Sequence, residues 1–235
     1  RGGADRIELC SALPLGGLSP DEDLFCMVRE RVDIPVRVLL RPRAGDFLYD
    51  EDEFELLCCQ AARFAGLGAD GIVIGMLNPD GTLDAERMSA LMTCGDGCGV
   101  TLHRAFDVCR DAHEALRTAK ELGVDTILTS GQQARCADGA PLLRELVSES
   151  GEGLRILIGG GVNADVIRAL APQTGADAFH LSAKAAVPSG MEFRREAVPM
   201  GAAGMNEFEL WRCDEGAVRA AREALDAVCT ARKEN

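Results

Sequence analysis

The chain has 235 residues, of which 47% are hydrophobic and 27% charged, an ordinary globular composition that excludes disordered and collagen-like architectures. Twenty-five Lys and Arg against 38 Asp and Glu leave a net charge of −13. Such a surface repels a phosphate backbone, so no nucleic-acid partner is expected. No window approaches the ~20 apolar residues of a membrane span, and the polar start Arg1–Arg6 has no signal-peptide character, so neither membrane nor secretion is expected. Ten Cys are too few for a disulfide scaffold, and Cys26, Cys58, Cys59 and Cys229 sit in apolar patterns where a reduced thiol packs as a small hydrophobe. The expected compartment is reducing and cytoplasmic.

Seven β-rich runs follow one another along the chain: Arg6–Cys10, Val36–Arg41, Gly71–Gly75, Val100–Arg104, Thr126–Ser130, Arg155–Gly159 and Ala178–Ser182. Helical patterns separate them. Ser19-Pro20-Asp21-Glu22 predicts a capped helix from about Pro20 to Arg31. Ala112, Ala115, Leu116, Ala119 and Leu122 fall at helical spacing before a stop at Gly123, and Asn163 caps a helix bearing Val166, Ile167 and Leu170. Strands alternating with helices imply a parallel sheet. With no Pro/Ser linker, the whole of 1–235 reads as one α/β domain, a single (β/α)8 TIM-like barrel. Because the count is seven and "RGGADRIELC" reads as a helix tail feeding a strand, a first strand and most of its helix are expected upstream of residue 1. An open doubly wound sheet is the alternative.

Strand residues alternate sides. Ile7, Leu9, Val38, Leu40, Val100, Leu102, Phe179 and Leu181 form the uniformly apolar set, which should face the helices. The opposite parity sends Glu8, Cys10, Arg41, Thr101, His103, Ser130, His180 and Ser182 inward, mostly at carboxyl strand ends, where barrel enzymes carry their sites. Following loops add Arg43, Asp46, Asn78, Arg104, Asp107, Gln132 and Lys184. Arg41, Arg43 and Lys184 can hold an anion there, with His103 and either Glu8 or Asp107 available for proton transfer. A self-satisfied polar plug is the competing reading. Gly159-Gly160-Gly161 precedes the Asn163 cap. In that place glycines let backbone N–H groups approach a phosphate, although a tight turn explains them equally well. The Cys94-x3-Cys98 pair lies before a strand, away from the polar mouth. Cys10 ends its strand on the inward side, where a thiolate can bind Cu(I) or act as a nucleophile with a partner from elsewhere.

At "GADRIELCSALPLGGLSP", "RPRAGDFLYDEDEFE", "GADGIVIGMLNPDGTLD", "TLHRAFDVCRD", "LTSGQ", "IGGGV", "FHLSAK" and "GMEFRRE" the sequence resembles the copper homeostasis protein CutC family, over residues 1 to about 212. The resemblance implies a TIM-like barrel, a cytoplasmic setting, homo-oligomers (dimer or tetramer) and Cu(I) binding through Cys residues on the first two strands. Cys10 matches the second of these. One departure is Ala44, where the family pattern has glycine. Two functions are therefore expected as alternatives. One is copper handling with Cys10 as metal ligand. The other is an enzyme for a small phosphorylated or carboxylated metabolite, with Glu8, His103 and Asp107 in proton transfer and Arg41, Arg43, Arg104, Ser130, Gly159–Gly161, Ser182 and Lys184 around the anion. The stretch from Lys184 to Asp214 shows no regular periodicity, and Met191, Met200 and Met205 lack a metal-ligand rhythm.

Overall fold

The computed structural model describes residues 1–195, 197–198, 200 and 206–233. Seven strands, β1 (Ile7–Leu9), β2 (Val36–Leu39), β3 (Gly71–Ile74), β4 (Gly99–Leu102), β5 (Thr126–Thr129), β6 (Arg155–Ile158) and β7 (Ala178–Phe179), form one sheet in chain order. Each pairs in parallel with the next. A doubly wound sheet reverses its order at a switch point, and this one does not, so the architecture is the α/β barrel type. The sheet curls until Glu8 on β1 and His180 beyond β7, its two edges, stand 3.7 Å apart.

The buried cluster between strands and helices takes in Val36, Val38, Leu40, Ile72, Ile74, Val100, Leu102, Ile127, Ile156 and Ile158. Leu39, Val73, Leu128 and Leu157 are also buried, but on the opposite parity, inside the curl. Apolar residues on both parities thus fill two layers, one under the helices and one within the barrel.

Around the sheet lie α1 (Glu22–Arg29), α2 (Glu51–Gly66), α3 (Ala85–Cys94), α4 (Ala112–Leu122), α5 (Ala140–Ser150), α6 (Ala164–Thr174) and α7 (Glu215–Lys233). α1 is shorter than expected because Asp21, not Ser19, caps it by accepting from Asp23 N at 2.9 Å. Ser19 instead ties the loop after β1 to the end of β2, accepting from Arg41 N at 2.9 Å and donating to Gln60 Oε1 at 2.8 Å. α4 ends at Gly123 (φ 79°) and Asn163 caps α6, both as the sequence implies. α7 packs Ala221 and Ala224 against Ile167 and Ala171 of α6. It also reaches the first residues of the chain through Arg222 and Asp5 at 2.6 Å, bracing both edges of the sheet.

Two expectations change. β7 stops at Phe179, leaving His180–Ser182 outside the strand. The stretch that shows no periodicity holds an antiparallel hairpin, β8 (Lys184–Pro188) with β9 (Glu209–Cys213). β9 is exposed throughout, and a strand that buries neither face carries no period-two signal. Met191 and Met200 are exposed there, and Met205 lies outside the described residues.

The amino-terminal end of the barrel is closed by an ion pair. Arg37 of β2 meets Asp125, just before β5, through two hydrogen bonds of 2.7 and 3.0 Å, and Nη1 also reaches Thr101 Oγ1 at 2.7 Å. Asp125 further accepts from Val100 N at 2.6 Å. Burial pushes its carboxyl up, but the bonds from Arg37 and Thr126 more than offset that and hold it below the usual range. Gly71 and Gly99 make the room, since a Cβ at either would stand under 3 Å from the Arg37 side chain.

Candidate active site at the carboxyl mouth

β4 delivers His103 to the opposite end. Its backbone N–H continues the ladder to Ile74 O, and its ring then turns to cap the short 3-10 segment Arg104–Val108, Nδ1 accepting from Ala105 N at 3.1 Å. That bond requires a bare Nδ1, so the ring proton sits on Nε2. Burial, with Arg41's charge nearby, pushes its pKa down to about 3, which keeps the imidazole neutral. Gly75 opposite is required, because a Cβ there would stand 2.6 Å from the ring. Neither Glu8 nor Asp107 hydrogen-bonds His103, so the pairing expected from sequence is not formed.

Asp107 has other work. It accepts from Thr129 Oγ1 (2.5 Å), Ser130 N (3.0 Å), Ser130 Oγ (2.9 Å) and Gln132 N (3.2 Å), and pairs with Arg104 Nε at 2.6 Å. Arg104 Nη2 also donates to Ser130 Oγ (2.8 Å) and Gln133 O (3.2 Å). The guanidinium is thereby held beside the loop after β6, where a Cβ on Gly160 would lie 3.7 Å from Arg104 Cζ. Gly160 and Gly161 take φ of 95° and 83°, open only to residues without a Cβ penalty. Gly160 O accepts from Cys136 N, while the N–H groups of Gly160 and Gly161 meet no acceptor among the described residues. Arg135 flanks Gly161. Gly159 is a packing glycine, since a Cβ there would collide with Leu128.

On the β2 side Arg41 is nearly buried. Its Nη atoms donate to Leu15 O and Gly17 O (both 3.2 Å) and to Gly45 O (2.8 Å), which ties the loop over Cys10 to the loop that carries Phe47. Phe47 lies 4.8 Å from the His103 ring and 5.1 Å from Arg41 Cζ. Arg43 turns away to Glu53 Oε1 (2.5 Å) and stacks on Tyr49. Lys184 begins β8 and lies 4.8 Å over the Trp211 ring, and Ser182 is exposed. Glu8 faces His180 rather than His103.

Cys10 lies beside Gly17, where a Cβ would stand 3.6 Å from the Cys10 sulfur. Burial, then the charge of Glu8, pushes its thiol up to about 11, which disfavours the thiolate that binds soft metals. Among the described residues no three His, Cys, Asp or Glu side chains group as a metal site. The residues present therefore do not by themselves fit a Cu(I) centre.

Sequence reasoning missed Tyr49, Phe47 and Arg135. Tyr49 is the one Tyr in the chain and stands directly before the capping Asp50 of α2, within the segment that follows two arginines. Non-glycine residues with left-handed backbone, Ala12, Gln132 and Ala183, all fall in loops after β1, β5 or β7. Strain of this kind gathers at functional ends.

Fold and mouth together define a (β/α)-barrel protein whose carboxyl face carries a fixed cation, a glycine loop and a neutral buried histidine. The CutC family model matches residues 1–185. A family protein CutC from Bacteroides fragilis (strain YCH46) is 46% identical over 201 residues, covering 85% of this chain and 80% of that one. The human copper homeostasis protein cutC homolog is 40% identical over 220 residues, 93% of this chain and 81% of that protein. A crystal structure of CutC from Streptococcus agalactiae superposes with a TM-score of 0.71 at 28% identity, over 75% of this chain and 87% of that one. The chain belongs to the CutC family.

Proposed function

We propose that this protein is a barrel enzyme for a small anionic metabolite, phosphorylated or carboxylated, bound at the carboxyl mouth. The observation that carries it is the Arg104 guanidinium, held by Asp107 and Ser130 beside Gly160, whose N–H, like that of Gly161, meets no acceptor among the described residues. A fixed cation beside free backbone donors at the start of a helix is an anion cradle. His103 contributes a neutral Nε2–H. With Nδ1 already engaged it acts as a hydrogen-bond donor to a carbonyl or carboxylate oxygen, not as a base.

The test is calorimetric titration with inorganic phosphate. Binding should weaken about tenfold or more in Arg104→Gln, the loss of a charge-assisted bond. Equal affinity in wild type and variant would sink the reading.

Copper handling is the second reading. It is favoured by the human relative's name and by Cys10, the inward thiol at the end of β1. Competition for Cu(I) against a chelator decides it. Binding that vanishes in Cys10→Ser supports it, and equal weak binding by both proteins removes it. A cytoplasmic setting accords with ten free cysteines. No described helix is long and apolar enough to cross a membrane. A homo-oligomer, dimer or tetramer, accords with the exposed Leu210 and Trp211 of the hairpin.

A further inference from the structure

Among the described residues, three buried side-chain polar atoms have no hydrogen-bond partner: Arg41 Nε, Tyr49 Oη and His103 Nε2. All three belong to one group. The Arg41 charge acts on both His103 and Tyr49, the Tyr49 hydroxyl is close enough to feel Arg41 as a weak hydrogen-bonding neighbour, and the Phe47 ring lies 5.1 Å from Arg41 Cζ and 4.8 Å from the His103 ring. Each residue is at least nine-tenths buried, with Arg41 9%, Tyr49 5% and His103 5% exposed.

All three atoms are donors. Arg41 stays protonated in any protein. The tyrosine hydroxyl, its pKa pushed up to about 12 by burial, keeps its proton. The imidazole proton is on Nε2 because Nδ1 is an acceptor. A buried donor without an acceptor carries its full desolvation penalty, so native proteins seldom keep one, and three in one group need a reason. The Tyr49 oxygen can also accept from Arg41, but each of the three groups brings a proton, and what they complement together is an oxygen with lone pairs and no proton to give.

We propose that Arg41 Nε, Tyr49 Oη and His103 Nε2 form a second subsite that takes an acceptor oxygen of the ligand, a carboxylate or carbonyl, beneath Phe47. The proposal rests on the anion reading of the mouth and narrows the substrate class. The ligand carries an anionic head for Arg104 and the Gly160–Gly161 loop, and a second oxygen function that reaches across to β2 and β4. The loop from Arg43 to Phe47 adjoins this subsite through Phe47; its residues 44–46 are exposed, its Gly45 takes φ of 100°, and Gly45 O accepts from Arg41 Nη2 at 2.8 Å.

The experiment is an NMR titration of the full chain with acetate at constant ionic strength, observing the His103 Nε2-bound proton, beside a separate titration with inorganic phosphate observing Arg104. Acetate should move the His103 proton downfield saturably. Tyr49→Phe, a substitution that conserves shape, should weaken that response about fivefold, and Arg104→Gln should leave it unchanged. An Nε2 proton that acetate does not move, or a response equally strong in Tyr49→Phe, overturns the subsite. Phosphate binding lost in Arg104→Gln while acetate leaves His103 unmoved keeps the mouth reading and discards the subsite. Acetate at His103 with no phosphate response at Arg104 keeps the subsite and discards the mouth reading.

Discussion

The two ends of the barrel are built from the same material and finished differently. At the amino-terminal end Arg37 and Asp125 meet through two hydrogen bonds, and the remaining valences of the carboxylate go to Val100 N and Thr126 Oγ1. At the carboxyl end Arg41, two residues beyond the end of the same strand, keeps its Nε without a hydrogen-bond partner among the described residues, as do the Tyr49 hydroxyl and His103 Nε2. Both arginines point inward, and both are largely buried. A self-satisfied polar plug is thus the right description of one end and the wrong one for the other. Polar groups that close on one another hold a barrel together, whereas polar groups left open are a binding surface.

The largest effect that sharpens this contrast belongs to the closed end. Arg37→Met removes one partner of a network whose other member, Asp125, then keeps a charge beside Val100 and Thr126 with its main counterion gone. We expect a loss of about 3 kcal/mol in urea unfolding, at the low end of the range for such pairs because the Asp125 side chain is still 37% exposed. The sign with pH follows from the lowered folded-state pKa of Asp125. The stabilisation is present above the unfolded carboxylate range and is lost as pH falls through the folded value. The gap between wild type and Arg37→Met should therefore close in acid. A gap that persists unchanged there would break the account of the plug.

The open end fails in a different window. His103 titrates at about 3 when folded and at about 6.5 when unfolded, so the unfolded chain takes up a proton that the folded one refuses. Stability is fully present above pH 6.5 and falls as the pH drops toward 3, by on the order of 2 kcal/mol at pH 5. Substituting His103→Gln should flatten this limb and leave the acid behaviour of Asp125 in place. If the wild type and the variant lose stability in parallel between pH 6.5 and 5, the histidine is not held neutral and its role as donor falls.

The difference between the ends also explains what could be read from sequence. Strand order, the helix stops at Gly123 and the cap at Asn163 are local, and residues within a few positions of one another specify them. Alternation on the strands assigned His103, Arg41 and Glu8 to the inside for the same reason. Which inward side chains touch is another matter, because it depends on loop paths. Asp107 looked like a partner for His103, but Thr129, Ser130 and Gln132 claim it from a neighbouring strand end. Arg43 looked like part of the anion site until Glu53, ten residues on, took it as part of the start of α2. Tyr49 carries no periodic signal at all, being one residue in a loop whose hydroxyl matters only because the chain folds it back toward Arg41.

The smallest predicted effect is the most discriminating. In an ordinary core, Tyr→Phe at a buried hydroxyl costs about 1 kcal/mol because a hydrogen bond is lost. Among the described residues Tyr49 has no partner at hydrogen-bond distance for its hydroxyl and only a weak polar neighbour in Arg41. Its hydroxyl is desolvated without return, so Tyr49→Phe should leave the urea midpoint unchanged or raise stability by up to about 1 kcal/mol. The same substitution weakens acetate at His103. Stability gained and binding lost in one atom is the signature of a polar group kept for a ligand rather than for the fold. A loss of stability in Tyr49→Phe would mean that the hydroxyl is already satisfied within the protein, and the carboxyl mouth would then be finished in the same way as the Arg37 end.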